Sequence, residues 1–553
     1  MPYPSSFPPV SIPDLDLWTF LFERKDKPFP SSKEILTDAE TGRTYTFSGL
    51  KHASHEFGKG LKARWGWKKG DVLALYTPNS IDSAVVTLGA IWAGGIVSPA
   101  NPLYTVDELA FQLKDSSAKG LVTQRPFLET ARKAAKSAGI PGNRIILIGD
   151  RRDETGKFRH FCSIRSTSYT GWYAKARIDP KKDLALLVYS SGTTGIPKGV
   201  CLSHHNIVAN LVQYSYMDGR HYLPFGGIDG KGDKQLGAIP LFHIYGLVCC
   251  VLGPIFFGWQ VVLMEKFDLE KALQTIQNYG LTFMYIPPPI VLAFGKHPLV
   301  DKYDLSTLKV LHSAAAPLTR ELTEAVWERL KIPVKQGFGL SETSPICHIQ
   351  SPDEWAKYIG SVGKLVPNME AKIVDEDGNE VAEGEPGELW LKGPNVFQGY
   401  LNNPERTREA FSPCGYFKTG DIFSRDKWGN YYCVDRLKEL IKYKGFPVPP
   451  AELEGLLITH KDVADVCVIG VEDKELATEV PRAYVVLSQG VEASEEKAKE
   501  LAEWMAKKVA PHKKLRGGIR FVDQVPKSPS GKILRRILRD QVRKEERAAG
   551  PKL

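Results

Sequence analysis

The sequence predicts an α/β fold: a large amino-terminal domain of parallel sheets, a β-rich subdomain, and a small α+β domain at the carboxyl end. Three observations predict it. Strand-like apolar runs alternate with helical periods through the first two hundred residues. Short β runs separated by turns replace that alternation after Gly360. A fresh helix–strand–strand–helix pattern begins beyond Lys438. At 553 residues the chain is too long for one core. The predicted division is an amino-terminal domain over 1–437, with its β-rich subdomain at about 360–434, and a carboxyl-terminal domain over 438–553.

In order, 71–76 reads as a strand, 80–92 as a helix and 95–98 as a strand, followed by strands at 121–123, 144–148 and 184–189. Strands separated by helical stretches belong to parallel sheets covered on both faces. The stretch 236–264 has no Asp, Glu, Lys or Arg and is long enough to cross a bilayer. Pro240, Pro254, His243, Gln260 and four glycines interrupt it, so short buried strands and helices are expected. Further on, 371–374 and 387–392 are β runs, and strand-like 431–434 follows a turn. A helix over 450–459, strands over 464–471 and 482–487 and a helix over 494–509 complete the pattern.

Composition narrows the function classes. A hydrophobic content of 42% with 25% charged residues is ordinary for a globular chain. The eight cysteines form no metal-ligand or disulfide spacing, which fits a reducing compartment, and residues 1–13 lack the regions of a secretory signal. The net charge of +9 resides entirely in residues 511–553. Phe521 is the only aromatic residue there, which argues against nucleic acid as a partner.

The strand at 184–189 empties into Ser190-Ser191-Gly192-Thr193-Thr194-Gly195, followed by Lys198 and, after His204-His205-Asn206, a helix-like stretch over 207–216. Glycines let backbone amides approach a ligand, the hydroxyls add donors, and Lys198 adds a point charge, a combination suited to a polyphosphate. The spacing excludes the common P-loop. Four further motifs follow in order: Gln336-Gly337-Phe338-Gly339-Leu340-Ser341-Glu342, Thr419-Gly420-Asp421, Asp435-Arg436-Leu437-Lys438 through Lys442-Tyr443-Lys444-Gly445-Phe446, and Ser528-Pro529-Ser530-Gly531-Lys532.

These five motifs, over roughly residues 40–540, resemble those of the adenylate-forming enzymes: acyl-CoA synthetases, peptide-synthetase adenylation domains and beetle luciferases. Ser341 stands where that family usually has threonine. The resemblance is nearest to 4-coumarate–CoA ligase-like enzymes, with Ser313-Ala314-Ala315-Ala316-Pro317 similar to their Ser-Gly-Ala-Ala-Pro and Pro447 replacing their glutamine after Gly-Phe. It implies an ATP-dependent acid–CoA ligase that forms an acyl-adenylate and then a thioester, with a hydroxycinnamate or other aryl acid as substrate. The alternatives are a medium-chain fatty acyl-CoA synthetase, an adenylating enzyme that passes the acyl group to a carrier protein, and a catalytically silent nucleotide-binding protein.

What the resemblance implies for residues follows the motifs. Lys532 meets the reacting carboxylate and bridging phosphate oxygen, and Lys442 serves the thiol step. Glu342 holds Mg²⁺, Phe338 faces adenine with Gly337 and Gly339 clearing space, and Asp421 with Arg436 holds the ribose. Ser190, Ser191, Gly192, Thr193, Thr194, Gly195, Lys198, Gln336 and Ser341 attend the nucleotide, and Lys444, Gly445 and Phe446 the CoA side. His243 gates the acyl pocket; Phe242, Tyr245, Cys249, Ala314, Ala315, Pro345 and Ile346 line it; Lys438 is the hinge. The implied cofactors are ATP, Mg²⁺ and coenzyme A. The terminal Pro551-Lys552-Leu553 resembles the Ser-Lys-Leu address read by the peroxisomal import receptor.

Overall fold

The structure is a computed structural model that describes residues 2–165, 173–190, 197–227, 229–444, 446–473, 476, 478–528 and 531–548. Two large sheets, each mostly parallel, form its frame. In the first, strands Leu184–Ser190, Ile96–Ala100, Val72–Tyr76, Gly120–Gln124 and Ile145–Ile148 lie side by side and parallel. Val72–Tyr76 is buried along its whole length, as the central strand of a sheet covered on both faces must be. The covering helix Ile81–Trp92 is likewise buried throughout and capped by Ser80, whose hydroxyl accepts from the Asp82 N–H.

The hydroxyl-rich string does not lead straight into a helix. The chain turns back as strand Lys198–Ser203, antiparallel to Leu184–Ser190 with Lys198 opposite Ser190. Only then does helix His204–Met217 begin, under a capping box made by Ser203 and Asn206. The expected strand at 184–189 is therefore the outgoing arm of a hairpin, and Lys198 stands at the base of its return.

In the second sheet six parallel strands run in the order Glu34–Asp38, Gln260–Leu263, Lys234–Gly237, Phe283–Ile286, Val310–Ser313 and Val334–Gly339. The uncharged stretch supplies Gln260–Leu263 and the end of Lys234–Gly237, and between them lie the short helical turns Ile244–Leu247, Val248–Leu252 and Gly253–Phe257. Among the described residues no helix is long and apolar enough to cross a membrane. All eight cysteines are free thiols.

A five-stranded antiparallel sheet follows, ordered Tyr3–Pro4, Glu370–Val374, Gly387–Lys392, Phe417–Arg425 and Tyr431–Arg436. Its edge strand comes from the extreme amino terminus, which the sequence does not announce. Beyond it lie the hairpin Ile441–Tyr443/Phe446–Val448, the long pair Val463–Asp473/Thr478–Leu487 with Ile519–Phe521 alongside, and helices Pro450–Leu457, Glu495–Ala506 and Arg535–Ala548.

Candidate active site

The carboxyl ends of the second sheet, the last two strands of the antiparallel sheet and, from the carboxyl-terminal region, helix Pro450–Leu457, the start of strand Val463–Asp473 and the Lys532 loop surround a cavity of about 200 Å³. Ligand sites of open α/β sheets lie at such strand ends. Gly337, Phe338 and Gly339 line it from strand Val334–Gly339, Asp421 and Arg436 from the antiparallel sheet, and Lys532 from the loop.

The glycines are required by close approach. A methyl on Gly339 would lie 2.1 Å from the Pro345 carbonyl oxygen, and one on Gly337 2.7 Å from His312 Nε2. Phe338, held between them, packs edge-on against Phe423 at 4.7 Å.

Asp421 and Arg436 are cross-strand partners, with Arg436 Nε 3.3 Å from Asp421 Oδ1. The other carboxylate oxygen of Asp421 is buried without a hydrogen-bond partner. Burial pushes this carboxyl up to about 6, while Arg436 and Lys532 pull the other way. A buried acceptor with an unused lone pair is the group to receive paired hydroxyls.

Lys532 reaches the cavity because its loop is folded on itself and docked. The Gly531 N–H donates to the Ser528 carbonyl at 2.8 Å, and the Ser528 N–H to the Lys532 carbonyl at 2.8 Å. Gly531 has φ +82°, and a Cβ there would stand 3.1 Å from Pro287 and 3.2 Å from Pro289. Burial, together with the positive Arg436, lowers the Lys532 amine to about 8, while Glu439 and Asp421 support its charge. Behind the loop, Arg535 is enclosed by carboxylates: its guanidinium donates to both oxygens of Glu454, at 3.1 and 2.5 Å, and to Glu439.

Beside the cavity, Glu342 Oε1 accepts from the Tyr400 hydroxyl at 2.9 Å, and the Lys198 ammonium lies 5.1 Å from the Tyr400 ring. An anionic oxygen ligand and a cation thus share one aromatic support, which fits a metal-bound polyphosphate. Ser190 ends its strand, Gln336 precedes Gly337 on its strand, and Ser341 opens the turn Ser341–Thr343. Ser191, Gly192, Thr193, Thr194, Gly195 and Gly445 lie outside the described residues, as do Pro551, Lys552 and Leu553.

His243 precedes the turn Ile244–Leu247, packed 4.4 Å from Phe242, with its Nε2 buried and without a partner. Burial, reinforced by the positive Lys532, lowers it to about 4, so the ring is neutral near pH 7. Ala315, at φ +76°, lines the cavity beside Ala314, and the Tyr245 hydroxyl donates to the His312 carbonyl at 3.4 Å. Pro345 abuts Gly339, and Ile346 opens the next strand. Cys249 is fully buried in the core, and neither it nor Phe242, His243, Tyr245, Ala314, Pro345 or Ile346 is among the residues that line the cavity.

Four expected residues stand apart from the cavity. Lys442 is exposed on the hairpin Ile441–Tyr443/Phe446–Val448, its N–H donating to Glu479 at 2.9 Å. The Lys444 N–H donates to the Thr478 hydroxyl at 2.8 Å, and Phe446, 57% exposed, stacks on His512 at 5.1 Å. Lys438 lies between Arg436, whose carbonyl accepts from the Glu439 N–H at 2.9 Å, and that hairpin. Sequence reasoning missed Tyr400 and the Glu439–Arg535–Glu454 cluster. The signal for the latter is faint, since an arginine among basic residues reads as solvated until the fold encloses it.

Residues 22–401 match the family model of the AMP-binding enzyme, and residues 452–532 that of the AMP-binding enzyme C-terminal domain. The chain belongs to the AMP-binding enzyme family. By that membership and its near-full-length relatives it is an AMP-forming acid–CoA ligase, for which ATP and coenzyme A are substrates. A probable 4-coumarate–CoA ligase of Dictyostelium discoideum is 39% identical over 97% of both chains. A peroxisomal OPC-8:0-CoA ligase of Arabidopsis thaliana is 38% identical over 95% of this chain and 93% of its own. Among solved structures, an anthranilate CoA ligase in complex with anthranoyl-AMP superimposes with a TM-score of 0.85 at 26% identity, over 97% of this chain and 99% of that one.

Proposed function

We propose that this ligase activates an aryl acid of the hydroxycinnamate type. Its carboxylate oxygen attacks the α-phosphorus of ATP and pyrophosphate leaves. The CoA sulfur then attacks the acyl carbonyl and AMP leaves, giving the thioester. The observation that carries the residue assignment is the convergence of Lys532, Asp421 and Phe338 on one cavity. Lys532 meets the charge that builds on the transferring oxygens, in a site where burial strengthens every such contact. Asp421 receives the ribose hydroxyls and Phe338 covers adenine. Glu342 is the residue to hold Mg²⁺, which supplies charge neutralisation on the phosphates. The neutral His243 gates the acyl chamber toward the thiol, and Tyr245, Ala314 and Ala315 shape it.

Lys442, Lys444, Gly445 and Phe446 serve the thiol step from a second face, brought inward when the unit beyond Lys438 turns. What supports this is that Lys442, Lys444 and Phe446 do not line the cavity in a conformation that places Lys532 there.

The aryl assignment is supported by the names of the relatives and by the small residues Ala314, Ala315, Gly337 and Gly339. A fatty or other aliphatic acid is the second reading, favoured by the OPC-8:0-CoA ligase relative. Acid-dependent pyrophosphate release across cinnamates, benzoates, phenylacetates and C6 to C12 fatty acids decides between them. Highest kcat/KM on a fatty acid refutes the first. Pro551-Lys552-Leu553 and the peroxisomal relative support a peroxisomal location. A fluorescent protein carrying the last twelve residues then collects in peroxisomes, and diffuse fluorescence unchanged by deleting Leu553 refutes it.

A further inference from the structure

Directly behind the cavity wall lies a charged cluster that the chemistry above does not use. Lys335 is fully buried and pairs with Asp218, itself 1% exposed. The Tyr285 hydroxyl donates to Asp218 Oδ2 at 2.8 Å and is hydrogen-bonded in turn to Tyr214. His312 Nδ1 stands 3.7 Å from the same Asp218 oxygen, longer than a hydrogen bond, and its ring centroid is 4.8 Å from that of Tyr285. Apolar residues of equal volume hold a core as well as a buried ion pair or better, so stability alone does not account for this cluster.

The cluster meets the cavity at one point. Gly337 lines the cavity, and the Cβ it lacks would fall 2.7 Å from His312 Nε2. The imidazole therefore stands immediately behind the part of the wall that has no side chain. The negative field of Asp218 favours the proton on the facing nitrogen, Nδ1, which leaves the lone pair on Nε2. Burial keeps the ring neutral, holding it at about 4.

We propose that His312 reads the far end of the acid: its Nε2 accepts a hydrogen bond from a hydroxyl or amino donor on an aryl acid lying against Gly337, with Asp218 fixing the tautomer and Lys335 keeping Asp218 charged. This rests on the aryl-acid reading and narrows it to acids with a distal donor. Asp218 and Lys335 are positioning residues in this scheme.

The test compares kcat/KM for 4-hydroxycinnamate, 4-methoxycinnamate and cinnamate in the full-length enzyme. Wild type prefers the hydroxy acid to the methoxy acid by about tenfold, the scale of an unpaired buried polar group. His312→Leu removes most of that preference, lowering kcat/KM for the hydroxy acid about tenfold more than for cinnamate. His312→Gln, whose amide oxygen also accepts, restores part of it. Asp218→Asn lowers the hydroxy-to-cinnamate ratio, whereas mere loosening of the core lowers both acids together. A wild-type enzyme that turns over cinnamates without preferring the donor, or a ratio unmoved in His312→Leu and His312→Gln, overturns the inference and leaves the aryl reading standing. Turnover of fatty acids but of no cinnamate removes both.

Discussion

Gly531→Ala tests whether docking of the Lys532 loop governs adenylation. The added methyl would lie 3.1 Å from Pro287 Cβ, 3.2 Å from Pro289 Cδ and 3.3 Å from Pro287 Cγ, against an optimal carbon–carbon separation of about 3.5–4.0 Å. Proline rings have little freedom to yield, so the loop must retreat by about half an ångström, and Lys532 with it. Residue 531 also holds φ +82°, a left-handed conformation that costs a residue with a Cβ roughly 1–2 kcal/mol. That cost is borne wherever the loop keeps its shape, so only the contact with the prolines discriminates the docked state. Misplacement of a reacting group by 1 Å costs on the order of a hundredfold, so half that displacement gives about a tenfold loss, or about 1.4 kcal/mol. Acid-dependent ATP–pyrophosphate exchange measures the adenylation half, and thioester formation from supplied acyl-AMP the second half. Exchange falls about tenfold and thioester formation stays within about twofold. Unchanged exchange, or equal loss in both halves, refutes the link between docking and adenylation.

Lys532→Ala abolishes pyrophosphate exchange and spares thioester formation from supplied acyl-AMP, while Lys442→Ala shows the converse bias; matched losses in both halves mean the two faces are misassigned. Burial holds Lys532 near 8 in the docked state, below the ordinary lysine value of about 10.4, so docking releases a proton between about pH 8 and 10.4 and is favoured as pH rises through that window. Adenylation needs the charge that is lost over the same range, so its rate falls above about pH 8, and Lys532→Arg, charged throughout, lacks that limb in a pH profile of exchange. Arg535→Met leaves the buried Glu454 and the half-buried Glu439 without their partner and lowers the stability of the carboxyl-terminal region by about 3–5 kcal/mol, read by urea denaturation; adding Glu454→Gln recovers part of it.

The fold was legible where burial imposes a period. The expected strand at 71–76 is Val72–Tyr76 and the helix at 80–92 is Ile81–Trp92, because both are buried throughout and their apolar runs are uninterrupted. Strand 431–434 continues to Arg436, since pairing with Asp421 extends the ladder past the apolar residues. Tyr3–Pro4 was illegible for a related reason: a partner strand far along the chain makes it a strand, not its own pattern, and Lys198–Ser203 is a strand through its hairpin pairing with Leu184–Ser190, which its own glycine- and serine-bearing pattern does not announce. Motifs carried the site only as far as local spacing reaches. Asp218 and Lys335 are 117 residues apart, and nothing near either one names the other.

The register that sets Asp421 opposite Arg436 has a mechanical corollary. In the proposed turn about Lys438, a point travels in proportion to its distance from the axis. The proposed ribose contacts, Asp421 and Arg436, belong to the sheet that ends beside that axis, whereas Lys532 would ride on the swinging side. On the proposed roles AMP would stay seated like the pin of a hinge while Lys532 is carried away, and so be held until the thioester has formed.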